Sequence, residues 1–226
     1  QGWRQPARPP FPRRYVHAGL AMLSLRTPRT VEREAEADAV WAAFDAVRAS
    51  GTPRVVQVKG TPGVGRSHFG RWLARRAEER GFAWALEADV GPEEPDGTAL
   101  TRLTARITRT TGVAPEALPD TLRATLGLWG TAPPGLLHVL DGLLSGKIRD
   151  PDLQLAALRA LIAHRARDRP AWIWVDGAHH SAAVQRFATL VLERPLPLVL
   201  VLDAGDDTSD LDAREEVVTV TRPRLT

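Results

Sequence analysis

The run Gly60-Thr61-Pro62-Gly63-Val64-Gly65-Arg66-Ser67 concentrates more chemistry than any other stretch of the chain. Gly60, Gly63 and Gly65 can take backbone angles closed to other residues, so successive amide N–H groups from Gly63 to Ser67 can turn inward around an anion. A helix starting near Arg66 would add its positive N-terminal dipole at the same spot, and Ser67 supplies a hydroxyl of the type that holds Mg²⁺ beside phosphates. The spacing is that of a phosphate-binding loop, with one departure: Arg66 stands where such loops carry Lys. A guanidinium is longer, planar and forked, so charge is kept while the fit to terminal phosphates changes. Weakened nucleotide handling is the expectation.

A nucleotide site also needs an acid at the end of a hydrophobic strand to hold the metal, and Asp176 follows the continuous apolar run Ala171-Trp-Ile-Trp-Val175. A hydrolytic site often places a second carboxylate beside it to orient water, and here Gly177 stands in that position. His179 and His180 come next and read as solvated loop residues pointing different ways; without cysteine or helically spaced histidines, a zinc site is disfavoured. Glu87 and Asp89 could reach the site from a second strand, although surface acids are the plainer reading.

These residues need a scaffold, and the surrounding pattern supplies one. Arg54–Lys59 is a short β-rich run ended by Gly60, and Phe69, Trp72, Leu73 and Ala77 recur at helical spacing against a charged face of Arg71, Arg75, Glu78 and Glu79, with Gly81 as the stop. Before them, Val40, Trp41, Phe44 and Val47 mark a helix whose first turns carry acids. Phe82–Ala88 predicts a second strand; 98–111, 115–128, 134–144 and 151–166 predict helices punctuated by Gly and Pro. Strands follow at 171–175, 196–202 and 217–220, with a helix over 184–192 between the first two. Strands alternating with helices imply an α/β fold, a parallel sheet with helices on both faces, and ligand binding outside the carboxyl ends of the strands. Gly60, Asp89, Asp176 and Asp203 all fall at such ends.

With 226 residues, 43% hydrophobic and 25% charged, the chain can bury one sizeable core, and it has no cysteine for disulfides or a Cys-based zinc site. No apolar run reaches membrane-spanning length, so cytoplasmic localisation without a membrane partner is expected. The pI of 10.1 reflects arginine bias more than net charge, which is only +3. Nucleic-acid binding is therefore disfavoured, the proline- and arginine-rich arm at the N-terminus being its one candidate. Residues 1–30 read as a linker and 31–226 as the folded core.

The pattern resembles the AAA-type ATPase domain of multidomain bacterial signalling proteins, an origin-recognition-like branch related to STAND NTPases and often fused to a serine/threonine kinase. The resemblance rests on Val31-Glu-Arg-Glu34, on Gly60 to Ser67 as a Walker A motif, and on Asp176-Gly-Ala-His179. It implies a P-loop NTPase core with Arg33 near the adenine of ATP or ADP. The loop residues Gly60, Gly63, Val64, Gly65, Arg66, Ser67 and His68 would contact the nucleotide, Ser67 and Asp176 would hold Mg²⁺, and Arg66 and Asp176 would carry any catalysis. The sequence departs from that pattern at Glu32, Arg66 and Gly177, and at 203–207, where no Thr or Arg sensor stands. The helical lid is absent, so the chain reads as a fragment of a longer protein. The first expectation is a degenerate nucleotide-binding module for regulation or assembly in signal transduction, with other domains of the polypeptide and self-assembly as partners. The alternatives are an active Mg-dependent ATPase, a nucleotide-free scaffold in which Arg66 pairs with Asp176, and nucleic-acid binding through the basic arm.

Overall fold

The computed structural model describes residues 34–205 and 210–221. The proline-rich linker and Arg33 lie outside the described residues. Helix α1 (Glu34–Ser50) buries Val40, Phe44 and Val47, and leads into strand β1 (Arg54–Lys59) and helix α2 (Arg66–Glu79). Strand β2 (Trp84–Asp89) follows, then four helices before the next strand: α3 (Thr98–Thr108), α4 (Leu118–Gly127), α5 (Leu136–Leu144) and α6 (Pro151–Arg165). Strand β3 (Ala171–Asp176), helix α7 (Ala182–Leu192), strand β4 (Leu198–Gly205) and strand β5 (Val217–Thr221) complete the fold.

The five strands form one parallel sheet in the order β2-β3-β4-β1-β5. Strands buried on both faces carry apolar residues continuously, and alternate side chains divide between two cores. Val56, Val58, Trp172, Trp174, Val199 and Val201 pack under α1 and α2. Val55, Ile173, Val175, Leu198, Leu200 and Leu202 face the opposite core, built from α3 to α7. The expected α/β architecture, with helices on both faces, is therefore the one observed. Among the described residues no helical lid follows β5.

Several boundaries move from where periodicity puts them. The second strand begins at Trp84, because Phe82 belongs to the turn that closes α2: its N–H bonds to Ala77 O at 3.2 Å while Gly81 N–H bonds to Glu78 O at 2.8 Å. The expected helix at 115–128 opens as a 3₁₀ turn, Pro115–Ala117, before α4. Helix α6 is capped by Asp150, its carboxylate accepting from Asp152 N at 2.9 Å and Leu153 N at 3.1 Å, with Pro151 in the first turn.

Candidate functional site

β1 and β3, the strands that end at the loop and at Asp176, are not neighbours, because β4 lies between them. The site is therefore built on three adjacent strand ends. Gly60 N–H bonds to Gly205 O at 3.0 Å, joining the start of the loop to the end of β4. The register of these two strands slips by one residue after Val58↔Asp203, so that Lys59 faces Gly205. Ala204 is the extra residue, and the resulting bulge leaves Asp203 facing the loop.

Gly65 sits at the N-cap of α2 with φ +84 and ψ +31, a left-handed conformation that costs a side-chain-bearing residue energy. It makes no side-chain cap. Val64 N–H closes a turn on Thr61 O at 3.4 Å. Gly63, Val64 and Gly65 thus lead into the first turn of α2, which carries Arg66, Ser67 and His68.

Two hydrogen-bonded groups organise the side chains. In the first, Ser67 Oγ donates to Asp176 Oδ1 at 2.8 Å, and Arg71 Nη2 donates to Asp176 Oδ2 at 2.8 Å. The same Nη2 reaches Asp89 Oδ1 at 3.1 Å, and Arg71 Nε lies 3.8 Å from Glu87 Oε2. β2 and β3 set Asp89 directly beside Asp176 in register, so the guanidinium neutralises acids that would otherwise repel. Burial raises the pKa of Asp176, against the lowering effects of the Ser67 hydroxyl and Arg71. Glu87 is also raised, by burial first, with Arg71 and Arg75 opposing.

The second group holds Arg66. Its Nε donates to Asp203 Oδ1 at 2.6 Å and its Nη1 to Gly60 O, while Asp203 also accepts from Gly205 N at 3.2 Å and from Gly177 N at 3.4 Å. The side chains of Arg66 and Asp203 are 12% and 6% exposed. The pairing of Arg66 with Asp176 expected for a scaffold is thus corrected: the partner is Asp203, and Asp176 is held by Ser67 and Arg71.

Three further readings change. Arg71, read as part of a solvated helix face, bridges the acid cluster; it lies four residues after Ser67 and so shares its face of α2, a signal available in the spacing. Glu87 and Asp89 belong to that cluster and are not merely surface acids. The adjacent histidines lie together in a 3₁₀ turn, their ring centroids 3.9 Å apart, with His179 Nδ1 3.2 Å from Asp203 O. Gly177 has φ +66, and a Cβ there would stand 2.4 Å from Val90 O, so the backbone itself excludes a second carboxylate at that position. Among the described residues no group of three or more His, Cys, Asp or Glu could hold a metal ion by itself.

A polar tie that sequence reasoning missed braces the same end of the sheet. Asp96 accepts from Ser181 Oγ at 2.5 Å and from Ala183 N at 3.0 Å, at the start of α7. Burial pushes its pKa up, but the Ser181 hydroxyl and the Ala183 and Gly97 amides outweigh it and the net shift is downward. A cavity of about 590 Å³ lies away from the loop, along β2 between α2 and α3.

No family model matches the chain, and no curated protein sequence matches it. Among solved structures, a chain of "Structure of Drosophila ORC bound to DNA" aligns at 16% identity and a TM-score of 0.41, over 98% of this chain and 51% of that one. This chain thus spans about half the length of that match. The resemblance is weak and partial, and it is one of fold. Among the described residues no helix is long and apolar enough to cross a membrane.

Proposed function

We propose that the chain is a degenerate P-loop nucleotide-binding domain that binds ATP or ADP weakly and serves as a regulatory or assembly module. The observation that carries this reading is the 2.8 Å hydrogen bond from Ser67 Oγ to Asp176 Oδ1. It joins the hydroxyl at the start of the post-loop helix to the acid ending a buried strand, at the carboxyl ends of a parallel sheet. The two oxygens are hard donors suited to Mg²⁺. Ser67 and Asp176 would hold the ion, which when bound would neutralise phosphate charge, and the backbone from Gly63 to Ser67 would receive the phosphates. Arg71 shares the Asp176 carboxylate and has to yield part of it to a cation.

Hydrolysis is disfavoured by the same geometry. Arg66 is turned inward to Asp203 and Gly60 O, and Gly177 cannot carry a water-orienting acid. The finer placement rests on the sequence resemblance: an AAA-type, STAND-related module of a cytoplasmic bacterial signalling protein. Its partners there would be other domains of its polypeptide, a serine/threonine kinase domain among them, and further copies of itself.

The thermal midpoint with and without millimolar Mg-ATP tests the reading, since a ligand that binds only the folded state raises it by mass action. At about ten times Kd the gain is about 1.4 kcal/mol, or about 3–6 °C for a chain of this size. The shift should saturate and should disappear in Ser67→Ala and Asp176→Asn. A second reading, a nucleotide-free scaffold, is favoured by the buried Arg66–Asp203 pair, which satisfies the loop arginine internally. A midpoint unmoved at every Mg-ATP concentration would leave that reading standing and remove the first.

A further inference from the structure

We propose that the free edge of β2 is a docking site for an extended acidic segment of a partner protein, which adds to the five-stranded sheet as a sixth strand. The inference does not depend on the nucleotide reading. β2 is a terminal strand of the sheet. Trp84 N–H bonds to Pro170 O and Val90 N–H to Asp176 O, so residues 84, 86, 88 and 90 turn their backbone groups toward β3, while 85, 87 and 89 turn theirs outward.

Edge strands are normally blunted, and here the blunting is partial. Arg106 Nη1 donates to Glu87 O and Arg102 Nη2 to Asp89 O, closing the C-terminal half of the edge. Ala85 and the Glu87 N–H are left facing the cavity of about 590 Å³ that runs between α2 and α3. A strand rises about 3.3 Å per residue, so a short extended segment has room to pair there.

Charge selects the occupant. Arg75, Arg106 and Arg109 line the cavity against Glu78 and Glu87, and the Glu87 carboxylate is engaged by Arg71. Arg75 acts on the Glu87 carboxylate only at longer range, and among the described residues neither Arg75 nor Arg109 has a carboxylate within ion-pair distance. Arg109 holds φ +58, the one positive φ on a non-glycine among the described residues, at the turn that ends α3. Glycine would suit that position better, and arginine there sets a guanidinium on the cavity rim at a conformational cost. Deeper in, Arg165 is stacked on Trp84 and Trp129, and burial lowers its pKa to about 10, with Arg109 and Arg169 adding and Glu78 opposing. An incoming strand therefore meets backbone partners at Ala85 and Glu87 and guanidinium groups from both flanking helices.

The test is fluorescence anisotropy of a labelled octapeptide of alternating glutamate and valine, titrated with the intact chain. Saturable binding is expected, with the lysine–valine counterpart at least about tenfold weaker. Arg75→Gln with Arg109→Gly should weaken the acidic peptide about tenfold while leaving the fold intact, because glycine relieves the left-handed position. N-methylation of alternate peptide amides should abolish binding. The proposal is overturned by absence of saturable binding, by equal affinity of the double variant or of the N-methylated peptide, or by a uridine oligonucleotide taking the site while the peptide does not.

Discussion

Removing the carboxylate of Asp203 should be among the most damaging single changes at the loop. Its side chain is 6% exposed and accepts from Arg66 Nε at 2.6 Å, from Gly205 N at 3.2 Å and from Gly177 N at 3.4 Å. Asp203→Ala leaves a guanidinium 12% exposed without its counter-ion, along with two amides that lose their acceptor. Breaking a buried pair from one side costs about 3–5 kcal/mol, which for a chain of this length is about 6–20 °C in Tm. Replacing both partners by apolar residues, Arg66→Met with Asp203→Leu, should recover most of that loss, since the pair repays little more than its own desolvation. Urea unfolding of the wild type, Arg66→Met, Asp203→Leu and the double variant closes the cycle. If Asp203→Ala costs less than about 1 kcal/mol, or the double variant is as unstable as the single, the pair is not the latch described above. Asp203→Asn adds a functional readout: releasing Arg66 toward the loop should raise Mg-ATP affinity while lowering stability, and a fall in both would refute the inward-turned arginine as the cause of weak binding.

Arg66→Lys should raise nucleotide affinity, because a lysine cannot serve Asp203 and Gly60 O with one forked group; unchanged affinity by calorimetry would place the defect elsewhere. Gly70→Ala should destabilise by about 1–3 kcal/mol despite alanine's better helix propensity, because its Cβ would stand 2.3–2.4 Å from the buried Trp174 indole; chemical denaturation followed by tryptophan fluorescence reads this directly. Asp96 has a pKa lowered by its contacts with Ser181 and Ala183, so it adds stability above its unfolded pKa and loses it as pH falls through the lower folded value. In Asp96→Asn the drop in Tm on acidification below about pH 4 should be shallower than in the wild type; parallel curves would remove Asp96 from the acid response.

The elements around the loop were legible because local signals agree there. A β-rich run, glycines at fixed spacing and an amphipathic helix each point to β1 and α2, and the apolar run ending in Asp176 marks β3. Asp203 was visible only as a strand-end acid. Its role depends on β4 inserting between β1 and β3, and on a bulge at Ala204, neither of which leaves a periodic trace. Arg71 was misread because a charged residue opposite an apolar stripe looks solvated, while its partners come from β2 and β3. The contact of Asp96 with the start of α7 joins residues far apart in sequence, and local patterning carries no information about it. The excluded Cβ at Gly177 was likewise invisible, because Val90 meets it only once β2 and β3 are paired.

The strand order also governs when the molecule can come into being. Arg54 pairs with Val199 and Val55 with Val217, so β1, flanked by β4 and β5, finds neither neighbour until nearly all of the described chain has been synthesised. Until then Val56 and Val58 belong to a strand with no sheet, while β2 and β3 can already meet behind the helices between them. Long-range parallel pairing of this kind is slow and leaves apolar surface open to aggregation during synthesis. A chain released before β4 would keep its glycine loop and lose the surface on which that loop is built.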